Sequence, residues 1–324
     1  QGKILYVNPA WERLTGYSGD EVVHGNPRIL QSGMTEGQVY RNMWQTITAG
    51  DTWHGVMHNK RKDGSLYDVE LTIVPIRDGQ NVITYFVGVQ RDVTETIKLQ
   101  DQQRRFVANA AHELRTPLTN FKTRLYLARR QPERFVEHID ILDRAADHMA
   151  RLVTDLLDLS RFETGIIPLH KEKIELKILI NRVIEMVQPQ ADSKQVGITL
   201  VLPEEPLPFL ADPVRIQQVL TNLLVNAIHY TPEFGHVELI VALAGKPPAM
   251  QSVMIVVHDD GIGIAPENIP YVFQPFYRVN EQKVGTGLGL SIAKEIVERH
   301  GGEITVTSVL GQWTRFTIIL PLFM

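Results

Sequence analysis

From Phe135 to Phe162 an apolar side chain returns every third or fourth residue: Phe135, Ile139, Leu142, Ala146, Met149, Val153, Leu156, Leu159 and Phe162. That period marks one face of a long α-helix, of the kind found in bundles and coiled coils. The preceding segment, 95–129, carries Leu99, Phe106, Ala110, Leu114 and Leu118 on a similar stripe. Arg130-Gln131-Pro132 interrupts the pattern, with Pro132 placed to start the second helix and Gly165 to end it. Two helices leave apolar surface uncovered. A second copy of the chain is therefore expected to complete a four-helix bundle around residues 95–165.

The flanking segments have different periods. Residues 1–94 alternate short β-rich runs with turns. Ile4-Leu5-Tyr6-Val7, Leu71-Thr72-Ile73-Val74 and Val82 to Val89 read as strands, and Lys62-Asp63-Gly64-Ser65 as a hairpin turn. Residues 166–324 mix both types. Leu176–Ala191, Pro213–His229 and Leu288–His300 have helical period. Val196–Leu202, Val237–Leu243, Val253–His258, Glu303–Val309 and Phe316–Leu320 read as strands. The expectation is a multidomain α+β chain, 324 residues long.

Composition removes several function classes. No cysteine is present, so disulfides, thiolate metal sites and cysteine nucleophiles are excluded. A net charge of −4 gives no general attraction to nucleic acid or acidic membranes. No apolar run approaches the ~18–20 residues of a membrane-spanning helix, so no membrane contact is expected within this chain. Because Gln1 falls inside a strand-like run, upstream sequence is suspected, with room for a membrane anchor there.

The chemistry-bearing residues fall in four clusters. His112-Glu113-Leu114-Arg115-Thr116-Pro117-Leu118 sets a nucleophilic imidazole beside a carboxylate, with a hydroxyl one turn on. Asn222 and Asn226 lie four apart on one helix face, and amide oxygens suit a hard cation that keeps several waters. Asp259-Asp260-Gly261-Ile262-Gly263-Ile264 follows a strand, where glycines let backbone approach a ligand. Gly285-Thr286-Gly287-Leu288-Gly289-Leu290 opens a helix whose first N–H groups are ready phosphate donors.

In this order the clusters resemble the H, N, G1 and G2 boxes of sensor histidine kinases, which move the γ-phosphate of ATP to their own histidine and then to a partner's aspartate. The resemblance implies a cytoplasmic homodimer that uses ATP and Mg²⁺ and partners a response regulator receiver domain. It implies that His112 is the phosphoryl acceptor, Glu113 its base, and Thr116 the residue that orients water for dephosphorylating the regulator. It places Mg²⁺ on Asn226, supported by Asn222, and the adenine amino group on Asp259. His229 and Tyr230, Gly261 and Gly263, and Gly285, Thr286, Gly287, Leu288 and Gly289 would line the nucleotide. Residues 279–286 would form a lid, with Arg278 and Lys283 as cations in or beside it, and Thr314 would contact the adenine side. The chain departs from the family pattern at His229, where Lys or Arg is usual, and at Trp313, where glycine is usual. A bulky residue is costly if φ there must be positive.

The implied folds are a PAS-like sensor over 1–94, a dimerisation and phosphotransfer hairpin over 95–165, and an α/β-sandwich ATP-binding domain of the histidine kinase/Hsp90/gyrase type over 166–324. The PAS likeness rests on Asn8-Pro9-Ala10-Trp11, Leu14-Thr15-Gly16-Tyr17, the Arg61–Gly64 hairpin and Arg91–Glu95. Gly25–Gln31 resembles the flavin-binding stretch of light-sensing PAS domains. Pro27 stands at their reactive cysteine, so no cysteinyl adduct can form. A non-covalent flavin, haem through His24, His54 or His58, a metabolite and no ligand all stay open. Two rivals to the kinase reading are another ATPase of the same fold class and a non-catalytic scaffold. The histidine motif ahead of the ATP-binding segment opposes the first, and the intact clusters oppose the second.

Overall fold

The computed structural model describes residues 2–163, 169–204, 208–244, 252–279 and 286–322. The chain divides into two compact units, Gln1–Val107 and Ala108–Met324.

In the first unit, α1 (Pro9–Thr15) starts behind Asn8, whose side chain accepts from the Trp11 N–H, and stops at Gly16 with φ of 78°. α2 (Gly19–Val22), a 3-10 turn at Pro27–Leu30 and α3 (Gly37–Ala49) follow. β1 (Trp53–Lys60), β2 (Leu66–Arg77) and β3 (Ile83–Asp92) form an antiparallel sheet in that order. Alternation along β2 buries Tyr67, Val69 and Leu71 against Met43, Ile47, Trp53 and Met57, as the two-residue period of a strand requires. The hairpin expected at Lys62–Ser65 joins β1 to β2, closed by the Arg61 N–H donating to the Ser65 carbonyl.

Two expectations need correction here. Ile4–Val7 is not a strand. Among the described residues no strand pairs with it, and the backbone of Ile4 bonds to the turn at His24 and Gly25. The last strand continues to Asp92 rather than ending at Val89, because its ladder with β2 runs on to Val69.

The boundary between the units falls inside α4 (Thr94–Arg130). The Asp92 side chain accepts from the Thr94 N–H at 2.9 Å and so caps this helix. α4 passes unbroken through Pro117. Pro132 opens a 3-10 turn, Pro132–Arg134, and α5 (Phe135–Glu163) begins just after it. The stop expected at Gly165 lies outside the described residues. α5 buries Leu142, Leu152 and Leu159 but leaves Val153 and Leu157 about half exposed, so two of its faces are apolar.

The remainder of the second unit is an α/β sandwich. Its elements are β4 (Glu172–Glu175), α6 (Leu176–Ser193), β5 (Gly197–Val201), β6 (Pro208–Ala211), α7 (Pro213–Tyr230), β7 (His236–Ala244), β8 (Ser252–Asp259), α8 (Gly289–Arg299), β9 (Glu303–Val309) and β10 (Trp313–Pro321). Five strands pair in the order β5-β7-β8-β10-β9, with only β5 and β7 parallel. β4 and β6 form a separate pair. Burial at Leu176, Leu179, Ile180, Val183, Val187 and Ala191 of α6 follows the helical period. α7 packs between α6 and α8 and against β7 and β8, so its apolar face is covered almost completely.

Candidate functional site

α7 is the spine of the site. Asp212 caps it, accepting from the Val214 and Arg215 N–H groups at 3.1 Å each, and Pro213 presets the first turn. Asp212 is itself fixed by His300, whose Nε2 accepts from the Asp212 N–H at 3.1 Å. That assigns the other ring proton to Nδ1, which donates to the Ile296 carbonyl at 2.8 Å. Burial depresses the pKa of His300, which favours this neutral form. Ile216, Val219, Leu220, Leu223, Leu224, Ala227 and Ile228 take the buried face of α7. Arg215, Gln218, Asn222 and Asn226, spaced three or four apart, form a polar stripe beside it.

That stripe meets the glycine segment. Asn222 Nδ2 donates to the Gly289 carbonyl at 3.0 Å, at the first residue of α8. Gly287 has φ of 68°, and a Cβ there would lie 2.9 Å from the Phe276 backbone. The Phe276 N–H donates to the Gly287 carbonyl at 2.8 Å, fixing the two segments together. Thr286 Oγ1 accepts from the Leu288 N–H at 3.2 Å, and Leu288 is fully buried. Lys283, Gly285 and most of the expected lid lie outside the described residues.

The far end of α7 meets the turn after β8. The Tyr230 carbonyl accepts from the Ile262 N–H at 3.3 Å, and the His229 ring stands edge-on to Tyr230 at 4.9 Å. A Cβ on Gly261 would lie 2.9 Å from that same carbonyl. Gly263 has φ of 65°, and a Cβ there would lie 2.8 Å from Leu310 Cα. Both glycines thus serve close backbone packing inside the protein. Asp259, 3% exposed, accepts from the Gly261 N–H at 2.9 Å. Burial raises its pKa to about 6, against the lowering effect of that bond, and Asp260 adds a smaller upward push.

Thr314 faces Asp259 across the β8–β10 ladder and is buried. Its hydroxyl is 3.1 Å from Ser308 Oγ, which donates to the Trp313 carbonyl and accepts from the Ile264 N–H at 2.8 Å. Ser308 therefore ties the turn after β8 to β10, a role the sequence did not reveal. The departure at Trp313 has a simple outcome. Positive φ falls at Gly311, while Trp313 is an ordinary strand residue paired with Val309.

His112 lies exposed on α4. The Thr116 hydroxyl donates to the His112 carbonyl at 3.3 Å. Glu113, a quarter exposed, pairs with Arg278 at 3.4 Å. His148 of α5 lies nearby, its pKa lowered by burial first, then by Arg151 and Arg278. The structure therefore gathers Asn222, Tyr230, Asp259, Gly261, Gly263, Thr286–Gly289 and Thr314 around α7, and brings the acceptor helix to the segment that carries Arg278. In the first unit, His24, His54 and His58 are all exposed, with His54 and His58 paired to Glu70 and Asp68 on the sheet.

Among the described residues no three His, Cys, Asp or Glu side chains cluster to hold a metal. The neutral amides of Asn222 and Asn226 suit a hard divalent cation that takes most of its oxygens from phosphates and water.

The fold and these clusters define a phospho-acceptor helical hairpin joined to an ATPase-type sandwich. Residues 1–95 match the PAS domain family, and residues 102–165 match the His Kinase A (phospho-acceptor) domain. Residues 211–324 match the histidine kinase-, DNA gyrase B- and HSP90-like ATPase family. The chain belongs to the sensor histidine kinases, with PAS, phospho-acceptor and ATPase domains in that order. It is 35% identical to the sensor histidine kinase WalK of Bacillus subtilis, over 80% of this chain and 43% of WalK. The histidine kinase AdeS of Acinetobacter baumannii superposes with a TM-score of 0.53 at 26% identity, covering 66% of this chain and 98% of AdeS. Histidine kinase ThkA, solved in complex with response regulator protein TrrA, shares the fold with a TM-score of 0.55 at 23% identity, over 99% of this chain and 93% of ThkA. The chain spans less than two thirds of the length of the curated relatives it matches.

Proposed function

We propose that this protein transfers the γ-phosphate of ATP to His112 and passes it to an aspartate on the receiver domain of a response regulator. The observation that carries this reading is the placement of the acceptor helix. Glu113, next to His112, lies 3.4 Å from Arg278, two residues after Phe276, which is bonded to Gly287 of the phosphate-side loop. The working parts are 1–94 as sensor, 95–165 as dimerisation and phosphotransfer hairpin, and 166–324 as ATP-binding domain.

In this reading Asp259 selects adenine by accepting from its amino group, with Thr314 and the Gly261–Gly263 turn forming the adenine side. His229 and Tyr230 complete that wall. The N–H groups opening α8, with Thr286, receive phosphate oxygens, and Arg278 and Lys283 supply positive charge. Asn226, backed by Asn222, would hold Mg²⁺, which neutralises phosphate charge when bound. A ring nitrogen of His112 then attacks the γ-phosphorus. The N–P bond forms, the bond to the β-phosphate oxygen breaks, and ADP leaves. Glu113 holds or takes the proton of the other ring nitrogen. Thr116 positions water against the regulator's phospho-aspartate in the opposing phosphatase reaction, in which the bond to the aspartate oxygen breaks and inorganic phosphate leaves.

The partner assignments rest on separate supports. Leu118, Leu125, Tyr126, Val153 and Leu157 are all exposed in the single chain, a pattern that a second copy completing a four-helix bundle would cover. The receiver-domain partner has its counterpart in response regulator protein TrrA, with which ThkA was solved. No described helix is long and apolar enough to cross a membrane, and this reading places the chain in the cytoplasm. Incubation with γ-labelled ATP tests the whole: acid-labile, base-stable label lost in His112→Ala is expected. Label retained in that variant would overturn it.

A further inference from the structure

The polar stripe of α7 continues beyond its asparagines to α5. Arg215 Nη1 and Gln218 Nε2 donate to Asp158 Oδ2 at 2.8 and 3.2 Å. Arg215 also donates to Gln218 Oε1 at 2.9 Å, so the three side chains brace one another. Asp158 is buried, as are Leu152 and Leu159 on the same side of α5. One turn before Asp158, Asp155 accepts from Thr286 Oγ1 at 3.1 Å. α5 therefore grips the ATP-binding domain at two places, the start of α7 and the loop that opens α8.

The second grip is chemically informative. Thr286 and the first N–H groups of α8 form an anion-receiving end. In the structure the anion brought to Thr286 is a carboxylate of the protein itself. Burial, with a contribution from Asp158, raises the pKa of Asp155, so the carboxylate is held there at some electrostatic cost. A triphosphate carries several negative charges and would need the same hydroxyl. Like charges at that distance repel strongly in a partly buried site.

We propose that Asp155 stands in for a nucleotide phosphate at Thr286, so that docking of α5 on the ATP-binding domain and binding of the triphosphate exclude one another. This rests on the reading of residues 286–289 as the phosphate side of an ATP site. Nucleotide then does two things at once: it loads the domain and breaks the Asp155 contact with α5, after which the loaded domain meets the acceptor helix in a second arrangement. Asp158, Arg215 and Gln218 set how firmly the docked form is held from the start of α7.

Calorimetric titration of the full chain with a non-hydrolysable ATP analogue plus Mg²⁺, and separately with adenosine, tests the proposal. Asp155→Ala should tighten analogue binding about tenfold, the gain if the docked form holds about nine-tenths of the molecules. Asp158→Asn should tighten it similarly, and the double variant little further, because both act on one equilibrium. Adenosine, lacking phosphates, should bind all of them equally. Asp155→Asn keeps the side-chain size and should tighten analogue binding by a smaller factor, which guards against a folding defect in the alanine variant. Unchanged or weaker analogue binding in both Asp155 variants would overturn the proposal. So would adenosine tightening in parallel, or a gain at Asp155 with none at Asp158. If the unmutated chain binds neither ligand, the ATP-site reading itself fails instead.

Discussion

Glu113 of α4 and Arg278, 165 residues further along the chain, meet at 3.4 Å with both side chains mostly buried. The pairing fixes the carboxylate beside His112. Glu113→Gln keeps the shape but removes the base, so autophosphorylation should fall about a hundredfold or more. Glu113 reaches the nucleotide residues through Arg278, so analogue affinity should change far less than the rate. Initial rates of acid-labile label, beside analogue titration, check both. An equal loss in both measurements would make Glu113 a structural anchor of the ATP-binding domain.

His112→Ala and Asn226→Ala should both abolish autophosphorylation for different reasons. The first removes the acceptor and leaves nucleotide affinity intact. The second removes an amide oxygen from the site that Asn222 anchors on Gly289, and should weaken the Mg²⁺-analogue complex while sparing adenosine. Mixed dimers of the two variants report direction. Label in the mixture implies transfer between subunits, whereas none implies transfer within each.

Thr116→Ala should separate the two phosphoryl reactions. Its hydroxyl bonds back to the His112 carbonyl at 3.3 Å, a long bond that is easily exchanged for one to water. Autophosphorylation should stay within a few-fold while dephosphorylation of the regulator falls. If both activities drop together, the hydroxyl instead shapes the helix around Pro117.

The motif residues were legible because their chemistry is local. His112 and Thr116, or Asn222 and Asn226, share a helix face by spacing alone. Long helices were legible for the same reason, since the stripe from Phe135 repeats many times. Asp155 and Asp158 were not legible as contacts, because their partners Thr286 and Arg215 lie 131 and 57 residues away. Nothing in local spacing distinguishes them from other acids on a solvated helix. Ser308 and His300 were hidden for the same reason. Ile4–Val7 failed in the opposite way: its composition suits a strand, but strand formation depends on a neighbour that composition cannot supply. The four-residue strands β4 and β6 are too short to show any period.

Gly263→Ala should destabilise the ATP-binding domain. Its φ of 65° belongs to the left-handed region, and the added methyl would meet the Val309–Leu310 backbone, which cannot move aside as a flexible side chain would. Strain of this kind costs about 2 kcal/mol. The thermal midpoint should fall by about 4–8 °C, read by circular dichroism. Gly311→Ala has positive φ but open space around it, and should cost less.

Asp259 links nucleotide binding to pH. Burial holds its pKa at about 6, above the ordinary 3.8, and the ionised form accepts from an adenine amino group more strongly than the protonated one. Analogue affinity should be flat above pH 7, fall through pH 6, and level off at a weaker value below about pH 4. Stability runs the other way. The folded state holds the Asp259 proton more tightly than the unfolded chain, so this group favours folding most below about pH 4. That contribution is lost as pH rises through about 6. At pH 8 the buried charge costs up to about 3 kcal/mol. Asp259→Asn keeps an oxygen to accept from the Gly261 N–H and removes the charge. Its thermal midpoint should exceed that of the unmutated chain at pH 8, with the gap narrowing towards pH 4, while adenosine binding is lost. A variant that melts lower at pH 8 would show that the carboxylate is stabilised in place, and that its burial is not held against a cost for the sake of the ligand.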